Sequence, residues 1–404
     1  MNRTDQIAAV DALAGIRIVD LTQVAAGPYA TSLLGDFGAE VVKVEPVTGE
    51  PFRVVDNMYG PTDSGYFFGL NRSKRAVAVD LKAEEGRDIV DRLLAQADVV
   101  AVSMRPRTLA GIGLDYEDIR RRFPRLIYCS ITAFGDTGPR ANQPGMDILA
   151  QAVGGIMGLT GEPGGPPVKV GPPITDFATS FLACFGILAA LRSRDMTGQG
   201  QRVSVNLLDT SIAMLANFVT PYLKSNVPVR PVGGGHPQMV PYQTFLTRDG
   251  ARIVVACLTE TFWRNLCVAL GREELSIEDG FKTNSARLVN RDRLIGILDG
   301  IFVERDASEW EEILNRHDVP VAKVNRLEDA IEDAQTIHNG MITTLRHPRY
   351  GDIPVVNNPV HLDGTPPHPR RYPPGIGENT DEVLGELGLS EDDIHHLRVR
   401  GIIR

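Results

Sequence analysis

The chain is short of the residues that build metal and thiol centres. Its four cysteines, Cys129, Cys184, Cys257 and Cys267, stand far apart in apolar surroundings and never form C-x-x-C. That sets aside zinc ribbons and dithiol redox chemistry, and suits core residues in a reducing cytoplasm. The eight histidines are scattered, only His395 and His396 adjoin, and H-E-x-x-H is absent, so no metal is expected. The chain also lacks G-x-S-x-G, which disfavours a serine hydrolase, and G-x-G-x-x-G, which disfavours a nicotinamide or flavin dehydrogenase. Positive charge is in deficit: 42 Lys and Arg against 51 Asp and Glu leave a net charge of -9, which excludes nucleic acid as the main partner. The most membrane-like stretch, Phe181 to Leu191, falls well short of the roughly 20 residues a spanning helix needs, and Arg192 closes it. No membrane partner is expected. Met1 to Ala14 has no apolar h-region, so it is not read as a secretory signal.

What is present is an α/β pattern in a chain of 404 residues, more than one core usually serves. Ile16–Leu21, Tyr29–Phe37 and Val41–Glu45 read as strand, helix, strand; Ala76–Leu81, Glu84–Gln96, Val99–Ser103 and Leu126–Thr132 continue the alternation. The expectation is a Rossmann-like large domain with a parallel sheet over residues 1–225, a smaller α+β domain over 226–330, and a C-terminal segment, 331–404, returning to the large domain. Pro228–Pro237, with three consecutive glycines, marks the boundary, and the proline-crowded Pro359–Pro374 must run extended, a form that often wraps a neighbour. In such sheets ligands sit beyond the carboxyl ends of the strands, here Thr22–Gly27, Glu45–Arg53 and Met104–Arg107.

Three features in this frame bear on chemistry. Asp176 lies between a Gly- and Pro-rich loop and a long apolar helix from about Phe177, where it is either an N-cap or a nucleophile. With a carboxylate's ordinary pKa near 3.9 it would be ionised at neutral pH and able to attack a thioester without a general base. Gly233–Gly235 is either a flexible turn or a source of backbone N–H groups for an oxyanion; Gly154 and Gly155 serve close helix packing or the same purpose. Asn71-Arg72-Ser73-Lys74-Arg75 is basic in an acidic chain, so with Arg53, Arg105 and Arg107 it is either a phosphate site or a solvated turn.

The ordered set Val19-Asp20-Leu21 with Ala26-Gly27-Pro28, Val42-Lys43-Val44-Glu45-Pro46, Asn71 to Arg75, Asp147-Ile148-Leu149-Ala150-Gln151-Ala152, Ile174-Thr175-Asp176, and Gly234-Gly235-His236-Pro237 resembles the family III CoA-transferases of CaiB/BaiF type. That superfamily includes formyl-CoA transferase and the α-methylacyl-CoA racemases. The resemblance implies transfer of CoA between carboxylic acids, with Asp176 carrying acyl-anhydride and CoA-thioester intermediates and Gly234 and Gly235 covering it. It implies CoA as substrate thioester rather than bound cofactor, lying along Val24, Ala25 and Ala26. The phosphates would then fall near Lys74, Arg75 and Arg53, and the adenine near Ser103 and Met104. It also implies an interlocked, ring-like homodimer. Met146 borders the same site and stands where relatives place the tyrosine of formyl-CoA transferase or the racemase histidine. A thioether exchanges no proton, so racemisation is disfavoured, as is specificity for formate or oxalate, since Ala25 replaces a glutamine. A racemase and a non-catalytic CoA-binding protein remain the alternatives. The acids themselves are not legible; a succinyl-CoA donor with a small dicarboxylic or branched acceptor is an analogy.

Overall fold

Six short runs rich in β-branched residues form one parallel sheet in a computed structural model that describes residues 11–404. Most of the N-terminal segment read for an export signal lies outside the described residues. The strands are β1 (Arg17–Leu21), β2 (Glu40–Glu45), β3 (Arg75–Ala78), β4 (Val99–Val102), β5 (Ile127–Thr132) and β6 (Arg202–Asn206), in spatial order β3-β2-β1-β4-β5-β6. All neighbours run parallel, with Ile18 opposite both Val41 and Val99.

Alternation along each strand feeds two cores. Val19, Val42 and Val100 face Ile89, Val90 and Leu93 on one side, while Ile18, Val41, Val99 and Ile127 face Ala30, Leu34, Ala183 and Ile187 on the other. The chain reverses direction across the sheet between β1 and β4, so the crevice beyond their carboxyl ends is a switch point of the kind that holds ligands in open α/β sheets.

Two compact units divide the chain. Among the described residues the larger comprises 11–156, 169–225 and 335–404, and the smaller comprises 157–168 and 226–334. Residues 157–168 therefore leave the large domain to which the sequence pattern assigns them: Gly161 O accepts from Gly233 N at 3.0 Å. Within the smaller unit β7 (Tyr242–Leu246), β8 (Arg252–Ala256) and β9 (Val321–Lys323) form an antiparallel sheet packed on helices through Trp263, Leu298, Phe302 and Trp310.

The C-terminal segment adds a hairpin and two helices that the pattern did not reveal, and a strap that it did. β10 (Ile342–His347) and β11 (Gly351–Val356) pair as a hairpin whose Ile353 and Val355 pack on Phe67 and Phe68. Two helices, Thr380–Glu386 and Glu391–Val399, close the chain against the sheet through Val383, Leu384 and Ile394. The proline-rich strap bonds to its own unit: Ser73 N donates to Arg371 O, His368 N to Asp36 O and Arg370 N to Ser73 Oγ.

The long apolar helix runs from Ile174 to Thr197, 24 residues, and is by length and composition able to cross a membrane. Its sequence reading as a shorter segment is corrected by this span. One face, carrying Thr175, Asp176, Thr179, Ser180, Ala183, Ile187, Ala190 and Leu191, is buried against protein, and Arg194 there binds Asp98 at 2.8 Å. The opposite face leaves Phe181, Leu182, Phe185 and Leu188 exposed.

Candidate active site

The loop after β1 is built on a buried charge. Asp20 accepts from Thr22 N, Thr22 Oγ1, Thr31 Oγ1 at 2.7 Å and Lys74 Nζ at 2.8 Å. Burial pushes its carboxyl up, but Lys74 and Lys43 more than offset this and leave it well below the usual range. Above it Gln23 N donates to Ser103 Oγ at 3.0 Å, which joins the loops after β1 and β4 across the switch point. Gly27 has no room for a side chain, since a Cβ there would sit 2.3 Å from Thr22 Cβ. Helix α1 (Ala26–Asp36) begins here without a side-chain cap. Among the described residues neither the Ala25 nor the Ala26 amide donates a hydrogen bond, so two N–H groups stand free at a helix start, a setting that suits anions.

Asp176 borders this loop. The Ile174–Thr197 helix has Pro173 at its N-cap, which places Asp176 inside the first turn rather than at the cap. The capping is done by another carboxylate: Asp147 Oδ1 accepts from Thr175 N at 2.8 Å, Thr175 Oγ1 at 2.6 Å and Asp176 N at 3.4 Å. Its Oδ2 accepts from Gln151 Nε2 at 2.6 Å, and Gln151 Oε1 accepts from Val170 N. Asp147 is thus a part of the site, though its motif alone assigns it no role. The signal available was the i, i+4 pairing of Asp147 with Gln151 on one helix face.

Asp176 itself is only 8% exposed, and among the described residues its carboxylate accepts no hydrogen bond. Burial, and then the neighbouring charge of Asp147, push its pKa up to about 7. The expectation of an ordinary, fully ionised carboxylate is corrected by this surrounding. Tyr66 lies in the same field: burial, with Asp176 and Asp147, raises its phenol to about 12. Val24, Tyr66 and Phe177 pack on Ala25 and Tyr29, with Phe177 edge-on to Tyr29 at 5.1 Å, and Ser180 Oγ donates to Ala26 O at 2.7 Å. This apolar cluster ties the helix of Asp176 to the β1 loop, and Asp176 is buried next to Phe177 in it.

Val24, Ala25, Ala26, Ser103 and Met104 are brought together at the switch point. Met146 precedes Asp147 directly and is 60% exposed. The cations nominated for phosphate stand otherwise. Arg53 is enclosed, clasps Glu45 through two bonds of 2.7 Å and lies 3.7 Å over the Phe67 ring. Lys74 is bound by Asp20, Pro28 O and Asn71 Oδ1, and its ammonium is pushed down to about 8 by burial, which outweighs the pull of Asp20. Arg75 opens β3 and reaches back to Glu40, Glu382 and Glu386. Each is engaged with carboxylates of its own unit, so neither a solvated turn nor an open phosphate patch describes this cluster. Arg105 and Arg107, after β4, are exposed and ion-paired with nothing among the described residues.

In the smaller unit Gly233 takes a positive φ of 64°, and a Cβ on Gly234 would lie 2.7 Å from Thr244 Oγ1. Gly235 N donates to Val232 O at 3.2 Å, whereas Gly234 N has no partner among the described residues. Of the two N–H groups nominated for an oxyanion, only that of Gly234 is free. Arg291 steadies the loop by donating to His236 O, and His236 stacks on Tyr242.

A parallel sheet with free amides at its switch point, and beside them a buried aspartate whose carboxylate accepts no hydrogen bond among the described residues, defines an α/β enzyme suited to a nucleotide-like thioester. The family model for CoA-transferase family III matches residues 13–380, and the chain belongs to that family. It is 37% identical over 393 residues to the mouse (Mus musculus) "Succinyl-CoA:glutarate CoA-transferase", covering 97% of this chain and 90% of that one. It is 35% identical to the "Succinyl-CoA:mesaconate CoA-transferase" of Haloarcula hispanica, over 94% of this chain and 97% of that one. A crystal structure of a CAIB/BAIF family protein from Brucella suis superposes with a TM-score of 0.84 at 34% identity, covering 94% of this chain and all of that one. The chain is a CoA-transferase.

Proposed function

We propose that the protein moves CoA between small dicarboxylic acids through covalent intermediates on Asp176. The observation that carries this is the Asp176 carboxylate, enclosed, unbonded and raised to about 7 beside the free amides of the β1 loop. In the ionised form it attacks the thioester carbonyl and expels CoA thiolate, forming a mixed anhydride. The thiolate then attacks the aspartyl carbonyl, releasing the donor acid and leaving an aspartyl-CoA thioester. An incoming carboxylate attacks that thioester and frees the thiolate again, which takes the new acyl group and restores Asp176. Bond energy is conserved at each step, and the apolar walls from Val24, Tyr66 and Phe177 keep water from the anhydride.

Dicarboxylates are favoured because the mouse and Haloarcula relatives are named for glutarate and mesaconate with succinyl-CoA. Incubation with succinyl-CoA and hydroxylamine should leave a hydroxamate on the peptide carrying Asp176, and a panel of acids should yield the matching acyl-CoA by mass spectrometry. A hydroxamate elsewhere would move the nucleophile. Proton exchange in D2O at the carbon next to the thioester, without transfer, would instead restore the racemase reading.

The reading extends to a homodimer. Support comes from the exposed Phe181, Phe185 and Leu188, with Ile148, Leu149 and Val153 on the helix of Asp147, an apolar surface of the kind that marks an interaction site. Sedimentation should give twice the mass of one chain; a monomer at micromolar concentration would remove this part.

A further inference from the structure

Val24 adopts φ 73°, a left-handed conformation that a β-branched residue resists. Something must hold it there, and the contacts identify what. Val24 N donates to Glu50 Oε2 at 2.9 Å. Glu50 reaches the β1 loop from the turn after β2, and its side chain is wholly enclosed, with Lys43 Nζ 3.8 Å from its other oxygen. Lys43 itself donates to Thr22 O at 2.9 Å, so two groups from β2 and its turn grip the loop on either side of Gln23. The turn is fixed in its own right. Gly49 takes φ 81° and donates to Pro46 O at 2.7 Å, and Glu50 N donates to Glu45 Oε2, which Arg53 also holds.

We infer that Glu50 is a positioning residue for the acyl-CoA site: its carboxylate holds Val24 left-handed, and so sets the direction in which the free Ala25 and Ala26 amides meet the ligand. The inference rests on the reading that CoA lies along Val24, Ala25 and Ala26. Without the acceptor, Val24 relaxes toward extended backbone, and the start of α1 turns with it. The loss then falls on binding rather than on the chemical step at Asp176.

The test reads the Kd for CoA by calorimetry alongside KM and kcat for acyl-CoA. Glu50→Ala should raise Kd and KM by about tenfold or more with kcat changed under about threefold, since ground-state and transition-state binding fall together. Glu50→Gln keeps an acceptor for Val24 N and should stay within about threefold of wild type in all three. Glycine takes the left-handed region freely, so Val24→Gly placed on Glu50→Ala should recover most of the lost affinity. Should Glu50→Ala not fold because Lys43 is left unpaired, Glu50→Leu with Lys43→Met removes both buried charges, and the same rise, again reversed by Val24→Gly, is expected. Wild-type CoA affinity in Glu50→Ala, or a rise that Val24→Gly leaves untouched, overturns the inference. Because calorimetry needs no turnover, the outcome stands apart from the proposed mechanism: absence of transfer in the wild-type enzyme would count against Asp176 chemistry, not against Glu50.

Discussion

Asp176→Asn is expected to abolish CoA transfer, by a factor on the order of 10^4 or more, and to make the folded protein more stable above pH 7. The amide has the shape of the carboxylate but cannot attack a thioester carbonyl, so no anhydride forms. The stability gain follows from the sign of the linkage. In the folded protein burial and Asp147 raise the Asp176 pKa to about 7, against about 3.9 in an unfolded chain. Between those values the folded state holds the extra proton, so folding loses stability as pH rises from about 4 through 7, and the full cost, on the order of 4 kcal/mol, applies above that. The asparagine variant escapes it. Denaturant melts should show its advantage large at pH 8.5 and vanishing near pH 4; equal stability of the two proteins at both pH values would contradict the burial argument, and retained transfer would contradict the nucleophile. The same ionisation governs rate: wild-type kcat/KM should fall as pH drops below about 7. Asp147→Asn, which keeps an acceptor for Thr175 N but removes the neighbouring charge, should move that limb to lower pH.

The positions of the β1 and β4 loops were legible because hydrophobic alternation marks each strand and the alternating order implies a parallel sheet. The state of Asp176 was not, because it depends on a carboxylate from a separate helix, and nothing local to Ile174-Thr175-Asp176 announces Asp147. Spacing suggested an N-cap; the cap turned out to be the other aspartate. The basic cluster illustrates the same limit. Lys74 lies 54 residues from Asp20, and Arg75 lies 307 and 311 residues from Glu382 and Glu386. Sequence shows the excess cations and hides the carboxylates that meet them. The 342–356 hairpin escaped because β10 alternates only between exposed and half-buried residues, Ile342 to Arg346, which gives no apolar stripe to read.

Lys74→Met is expected to destabilise the fold by about 3–5 kcal/mol while leaving the transfer chemistry of the surviving folded protein intact. Lys74 Nζ makes three bonds, to Asp20 Oδ2 at 2.8 Å, Pro28 O at 2.8 Å and Asn71 Oδ1 at 3.0 Å, and both it and Asp20 are buried. Methionine fills similar space but leaves Asp20 with the Thr22 amide, its hydroxyl donors and the charge of Lys43, so an under-compensated charge stays inside the protein. Adding Asp20→Asn removes that charge and should recover a large part of the loss, since buried pairs are costly chiefly when one member is left alone. A phosphate-binding lysine predicts a different pattern: unchanged denaturant midpoint, a weaker Kd for CoA, and a Kd that depends less on salt because one phosphate contact is gone. Chemical denaturation and CoA calorimetry on the same three proteins therefore separate the two roles. A stable Lys74→Met variant with weakened, less salt-sensitive CoA binding would return Lys74 to the phosphate site.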